Sequence, residues 1–403
     1  MIKVSQAVTK LIDSAQCRQT SERVQLVRAL GRVASHDVVS SIQIPPSDNS
    51  AMDGFAVNSA DFADKQLPLT LPVSQRITAG SAPEVLAPGT AARIFTGGVI
   101  PEGADAIVIQ ENCDFDSSNK VTFKTEAQKG DNIRPAGQDI ASGATVIKQG
   151  QRLNSVDLSL LASIGHAEVD VFEPLKVAIF STGDELIEPG KPLKVGQIYN
   201  SNRTLLIALC QQLGFFPIDC GTVEDTLDAT KAALANAAAN ADVVISSGGV
   251  SVGEEDHVKP AVEALGSLDL WKVQMKPGKP VAFGHIDQTP FLGLPGNPVS
   301  SFVVFQLLGV PLLRALQGQG SDVPKVYKIK SGFDKKSSTR EEYIRVRLEQ
   351  DDQGQLIAQR FANLSSGVLS SLSWADGLLR QNCDQAIHTG DFVEYLPLND
   401  AML

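Results

Sequence analysis

The chain has 403 residues, 43% of them hydrophobic and 20% charged, and a formal net charge of −11. That length exceeds one ordinary core and, at roughly 100 to 200 residues per domain, predicts a multidomain protein, while the charged fraction excludes extended disorder. The negative balance, with no lysine- or arginine-rich run to offset it, excludes general binding of nucleic acid or of anionic membrane, so an anionic substrate has to be attracted locally.

The first residues, 1–6, lack the apolar stretch of a signal peptide. Helix-spaced apolar positions, Val8, Leu11 and Ile12, then Val24, Val27 and Leu30, predict helices over 5–16 and 21–30, with Gly31 as a stop. From 38 to 147 the texture changes to short β-branched runs, at 92–95, 106–109 and 121–124, between Pro, Gly, Asn and Asp clusters, which reads as a compact, mostly β module. Asn154 opens a short helix through Ala162, with Asp157 at the capping-box position and Gly165 closing it.

After Pro174 strands and helices alternate: strands at 175–180, 215–220 and 242–246, helices at 202–213 and 226–239, a pattern that predicts a parallel sheet covered on both faces. Strands near 270–275, 280–284 and 290–293 lead into a strongly apolar helix from Pro298 to about Leu316. Its most apolar part, 302–313, is short and interrupted by Gln306, Gly309 and Pro311, so it does not read as a membrane span, and the chain reads as cytoplasmic. A polar stretch, 318–323, precedes strand-like alternation at 342–348 and 392–396, which predicts a small C-terminal β-barrel or sandwich. The five cysteines are odd in number, far apart and without a CxxC pair, which argues against a disulfide framework and a zinc ribbon; His257 reads as a helix-start residue.

Ligands of open parallel sheets bind outside the carboxyl ends of the strands, and here several strand ends carry unusual polar sequences. The richest is Ser246-Ser247-Gly248-Gly249-Val250-Ser251-Val252-Gly253-Glu254-Glu255-Asp256, where glycines let backbone N–H groups converge on an anion and Asp256 offers an oxygen ligand to a magnesium ion bridging it. The loop also reads as an ordinary strand-to-helix turn with a serine cap. Its companions are Ser181-Thr182-Gly183-Asp184-Glu185, Gly221-Thr222-Val223-Glu224-Asp225, and the pair Lys276-Pro277-Gly278-Lys279-Pro280 and Gly293-Leu294-Pro295-Gly296-Asn297-Pro298. Singly, Asp225 reads as a helix cap, Asp256 as a helix-dipole partner, and the lysines as solvated turn residues. Together they point to phosphate-plus-metal chemistry, in which positioning and charge neutralisation do the catalysis. No GxxxxGK[ST], GxGxxG or GxSxG motif is present, which removes support for nucleotide hydrolases, dehydrogenases and α/β-hydrolases.

Over essentially its whole length the sequence resembles the molybdopterin molybdenumtransferase family of the bacterial MoeA type, related to the E domain of gephyrin. The motifs are Asp48-Asn49-Ser50-Ala51-Met52-Asp53-Gly54, Phe95-Thr96-Gly97, Asn132-Ile133-Arg134 with Gly137-Gln138-Asp139-Ile140, the strand-end loops above, Arg340-Glu341-Glu342-Tyr343-Ile344-Arg345 and Ser365-Ser366-Gly367. The resemblance implies insertion of molybdate into adenylylated molybdopterin with release of AMP, in a magnesium-dependent reaction. It implies an α/β multidomain fold: a discontinuous helical and strand linker domain at 1–42 plus 141–173, a β-rich inserted module at 43–140, a central doubly wound, mostly parallel sheet domain at 174–322, and a C-terminal small β-barrel at 323–403.

It also implies a homodimer with the active cleft between subunits, and other cofactor-biosynthesis proteins as partners. By motif, the residues implied in chemistry are Asp53, Thr96, Asp139, Asp184, Glu185, Asp225, Asp256, Lys276 and Lys279, with Asp225 and Asp256 as metal ligands. Those implied in substrate binding are Arg134, Ser247, Gly248, Gly249, Ser251, Gly253, Pro295, Gly296, Asn297, Pro298, Arg340, Arg345, Ser365 and Ser366. Phe55, Gln138 and Asn200 depart from common family residues and put supporting hydrogen bonds in doubt. Two other functions fit less of the chain: a sister molybdopterin adenylyltransferase, and a non-catalytic scaffold of the gephyrin kind.

Overall fold

A computed structural model describes residues 1–250, 256–320 and 326–398. The central sheet has six strands, here numbered in chain order: β1 Lys176–Thr182, β2 Phe216–Val223, β3 Val243–Ser247, β4 Gly266–Lys272, β5 Pro280–Ile286 and β6 Thr289–Leu294. They lie in the order β2-β1-β3-β6-β5-β4; the first four are mutually parallel, and β5 pairs antiparallel with both β6 and β4. Helix α1, Ser201–Gln212, packs on one face, and α2, Leu227–Asn240, with α3, Val258–Leu265, on the other.

Side chains alternate between two cores. Val243, Ile245 and Leu292 face α1 and the long apolar helix at 298–316, whereas Val244, Phe291 and Phe180 face α2 and α3. With both faces covered, β3 is buried at every position, as near-continuous apolar strands of parallel sheets require.

The register brings the strand ends level. Ser181 pairs with Ser247 and Ser247 with Leu294, while Thr182 pairs with Val223 across a bulge in β1/β2. The loops after β1, β2, β3 and β6 therefore leave one edge side by side.

The helix at 298–316 is long and apolar enough to cross a membrane, with a mean hydropathy of 1.8, but 83% of it is buried inside the protein. Its middle, Phe305–Gly309, widens into a π turn just ahead of Pro311, which lacks an N–H. Helix Val4–Ser14 packs on this segment through Val4, Ala7 and Leu11, and Ile2 bridges to Val273.

Residues 21–30 are not the helix that apolar spacing predicts. Ser21–Gln25 is a strand paired antiparallel with Glu168–Phe172, followed by a single 3₁₀ turn, Leu26–Arg28. The pairing satisfies the backbone, and Val27 and Leu30 are left exposed, so the helical spacing was incidental. Helix Ser155–Ser163 is capped as expected: the Asn154 side chain accepts from the N–H groups of Val156 and Asp157, and the Asp157 carboxylate accepts from the Asn154 N–H.

Between Ser40 and Ala144, where the Ser40 N–H donates to the Ala144 carbonyl, the chain makes an excursion into a separate six-stranded sheet with its own cores around Phe55, Phe123 and Ile94. At the C-terminus Tyr327–Ser331, Glu341–Gln350, Leu356–Arg360, Gly377–Gln381 and Phe392–Pro397 close into a five-stranded barrel, because Glu341–Gln350 pairs with Gly377–Gln381 as well as with Leu356–Arg360. All five cysteines are free, and burial pushes the Cys210 thiol up to about 12. Replacing Asn154 by Ala should weaken its helix by about 1 kcal/mol, read as about fivefold faster amide exchange over Ser155–Ser163 with the central sheet unchanged.

Candidate active site

The loops at the level edge enclose a cleft of about 700 Å³, lined among others by Thr182, Glu185, Tyr199, Asn202, Asp225, Ser247, Asp256 and Pro295. Its floor is the turn after β3. Gly248 and Gly249 adopt φ of +94° and +67°, and a Cβ on Gly249 would lie 2.4 Å from a Val258 methyl and 2.7 Å from Thr182 Oγ1. Only glycine fits both the conformation and the space. The Gly248 N–H donates to Leu294 O at 3.0 Å, so it ties the turn to β6 and is not a donor to a ligand. Thr182 Oγ1, by contrast, is buried in the cleft wall with no hydrogen-bond partner among the described residues.

Asn202 joins the parts. Its Nδ2 donates to Ser247 Oγ at 3.0 Å and to Gly296 O at 2.7 Å, linking the turn after β3 to the turn after β6. Sequence reasoning did not single it out; the available signal was the polar run Asn200-Ser201-Asn202 at a helix start. Asn200, buried, caps α1 by accepting from the Arg203 N–H, accepts also from Ser181 Oγ, and donates to Thr222 Oγ1 at 3.1 Å. The amide thus has work for both its donor and its acceptor.

Glu185, Asp225 and Asp256 also line the cleft. Asp225 is held above the usual carboxylate range, first by burial and then by the negative charges of Asp184, Asp256 and Glu185, with His257 opposing. Its N–H donates to Asp184 Oδ1 at 3.4 Å. It is not a cap: α2 is capped by Thr226, whose hydroxyl accepts from the Ala229 N–H. Among the described residues no three His, Cys, Asp or Glu groups form a metal cage, so the acids surround Asp225 at Coulombic range only.

Of the other residues singled out from sequence, Gly248, Gly249, Gly296, Asn297 and Pro298 also line the cleft. Ser251 and Gly253 lie outside the described residues. Lys276 and Lys279 precede the cleft-lining Pro280 and do not form the wall, and Lys276 lies 3.4 Å from Glu342 of the barrel. Arg345 is 1% exposed and donates from Nε to Ser371 Oγ at 2.9 Å and from Nη2 to the carbonyls of Asn363 and Ser365; it braces the turn whose Ser366 carbonyl accepts from the Val299 N–H. That turn brings Gly367 and Leu369 to the cleft. Arg340 donates to Met275 O at 3.1 Å.

Asp53, Thr96, Arg134 and Asp139 sit on the excursion and are not in this wall. Asp53 accepts from the Thr96 N–H and hydroxyl, both at 2.8 Å, which hold its carboxyl below the usual range. Phe55 is a core residue packed on Phe115 and Phe123, so it carries no cleft hydroxyl to lose.

Comparison with known proteins decides what this arrangement belongs to. Residues 2–165 match the MoeA N-terminal region (domain I and II), 178–315 a probable molybdopterin binding domain, and 328–398 the MoeA C-terminal region (domain IV). The chain belongs to the MoeA family. It is similar to the molybdopterin molybdenumtransferase of Haemophilus influenzae, 43% identical over 79% of this chain and 78% of that one, and to that of a Nostoc species, 38% identical over 84% and 79%. Its fold is similar to the crystal structure of the molybdopterin biosynthesis MoeA protein from Pyrococcus horikoshii, with a TM-score of 0.86 at 28% identity, covering 98% of this chain and 100% of the other.

The burial of Asp225, with the acids around it adding to the effect, has a cost in stability. A carboxyl whose folded pKa is raised contributes fully while protonated, below its unfolded value near about 3.9, and loses that contribution as pH rises through the folded value. Asp225→Asn should therefore raise the thermal midpoint at pH about 7 and leave it unchanged at pH about 3, in parallel melts of both proteins.

Proposed function

We propose that this chain carries out the metal-inserting step of molybdenum cofactor biosynthesis: it takes adenylylated molybdopterin and molybdate and yields molybdenum cofactor and AMP. The observation that carries the reading is the placement of a glycine turn and a group of acids, Glu185, Asp225 and Asp256, in one cleft at the carboxyl edge of a parallel sheet. Gly248 and Gly249 line the cleft where a phosphate would lie, and Thr182 Oγ1 beside them is a hydroxyl without a hydrogen-bond partner among the described residues. Asn202 keeps Ser247 and the 295–298 turn in register with it. About 700 Å³ is room for a pterin and part of a nucleotide.

The donor set fits magnesium. This ion binds through one or two carboxylates and completes its shell with water and substrate phosphate, so it needs no protein cage. Asp225 and Asp256, both in the wall, would hold it, and the raised affinity of Asp225 for a proton is what a cation would displace. When bound, such an ion neutralises charge developing on the phosphate oxygens. Asp184 and Glu185 act on Asp225 through their charge, and Lys276 and Lys279 supply cations beside Pro280.

Asp53, Thr96, Arg134 and Asp139 complete the site from a second copy of the chain, in a homodimer working in the cytoplasm. The support is their place on a module outside their own chain's cleft wall, with Thr96, Arg134 and Asp139 exposed. The division into 1–42 plus 141–173, 43–140, 174–322 and 323–403 belongs to the same reading.

Purified protein should release AMP from adenylylated molybdopterin only with molybdate and a divalent cation present. Turnover without molybdate, or synthesis of the adenylate from ATP, would favour a sister adenylyltransferase instead. Asp225→Ala and Asp256→Ala should each lower turnover by about 10²-fold or more with circular dichroism unchanged. Unfolded variants that keep normal activity per folded molecule would make these acids structural.

A further inference from the structure

The loop carrying Lys276 is annexed by the C-terminal barrel. Met275–Lys276 pairs in parallel with Glu341 and Glu342, Arg340 fixes the Met275 carbonyl, and Gln274 Nε2 donates to Thr339 O at 3.0 Å. Beneath this pairing lies one carboxylate between two ammonium groups. Glu342, with a side chain only 4% exposed, places Oε2 3.0 Å from Lys335 Nζ and 3.4 Å from Lys276 Nζ. Neither lysine is angled to make a hydrogen bond, so Oε2 holds both by charge alone.

The two lysines are not equivalent. A buried carboxylate must be paired with an opposite charge, and Lys335, 17% exposed, meets that need within the barrel. Lys276 is 45% exposed and is not required for neutrality. One negative and two positive groups leave a net positive charge, and it resides on the lysine that water and an incoming anion can reach. The attraction of Glu342 restricts the long Lys276 side chain before any ligand arrives, while its donors stay unspent.

We propose that Glu342 is a positioning residue, which holds the Lys276 ammonium beside the cleft for an oxyanion of the substrate; this rests on the reading of the cleft given above. The C-terminal barrel then contributes to binding without touching the substrate through this group. Lys335 is the anchor that lets the carboxylate stay charged and buried while Lys276 remains available.

A double-mutant cycle tests this, with steady-state AMP release read at varied molybdate and varied adenylylated molybdopterin. Lys276→Met should raise KM for one of the two about tenfold. Glu342→Gln should raise the same KM about fivefold with kcat within about twofold, and the double variant should be no worse than Lys276→Met alone. Additive effects, or an unchanged KM in Glu342→Gln beside a raised one in Lys276→Met, overturn the positioning role. Unchanged KM in both, with normal turnover, removes Lys276 from substrate binding and this proposal with it, while the functional reading stands. Absence of molybdate-dependent turnover in the unaltered protein removes both. If Glu342→Gln does not fold, Glu342→Asp makes the same comparison, since it keeps a charge for Lys335 but withdraws it by one methylene; an unchanged KM there counts against the proposal.

Discussion

The parallel register of β2, β1, β3 and β6 is the constraint on which the site depends. Because Thr182, Val223, Ser247 and Leu294 end level, their following loops emerge at one edge, and no loop has to travel to meet another. A slip of one residue along β3 would move its turn by about 3.3 Å and turn Val244 and Ile245 into each other's cores. The apolar residues thus determine where the polar ones act. The hydrogen bond from the Gly248 N–H to Leu294 O extends the same pairing into the turn.

On this frame the chain assembles charge that its composition does not favour. A protein of net charge −11 must present an anion with local donors, and on the proposed reading these are a hydroxyl without a partner in the cleft wall and the Lys276 ammonium paired with Glu342. In the same cleft Asp225 is partly desolvated and has three other acids near it. Such an arrangement loses stability, a pattern expected where function opposes optimal packing of charge. The barrel takes part from behind: Arg345 braces the Ser365–Ser366 turn, and Glu342 faces Lys276.

The sequence made the central sheet legible because buried parallel strands leave uninterrupted apolar runs, and because Gly, Pro and acid clusters punctuate their ends. It also made the Asn154-Asp157 box legible, since capping depends on neighbours a few residues apart. It failed at 21–30, where the pairing partner, Glu168–Phe172, lies far along the chain and leaves no local trace. The cleft lining was half visible. Residue type indicated Asp225, Asp256 and the glycines, but roles set by distant contacts were hidden: Arg345 reads as a free cation until Ser371, Asn363 and Ser365 are seen around it, and Asn202 reads as an ordinary helix residue until Ser247 and Gly296 converge on its amide.

The packing of helix Val4–Ser14 on the apolar segment at 298–316 carries a consequence for how the chain is made. On the ribosome, at about 5–20 residues per second, the first helix emerges on the order of 15–60 s before the segment that buries Val4, Ala7 and Leu11. During that interval its apolar stripe has no permanent cover. The excursion from Ser40 to Ala144, with cores of its own, can fold meanwhile, so synthesis from end to end completes the outlying module before it closes the sheet that holds the site.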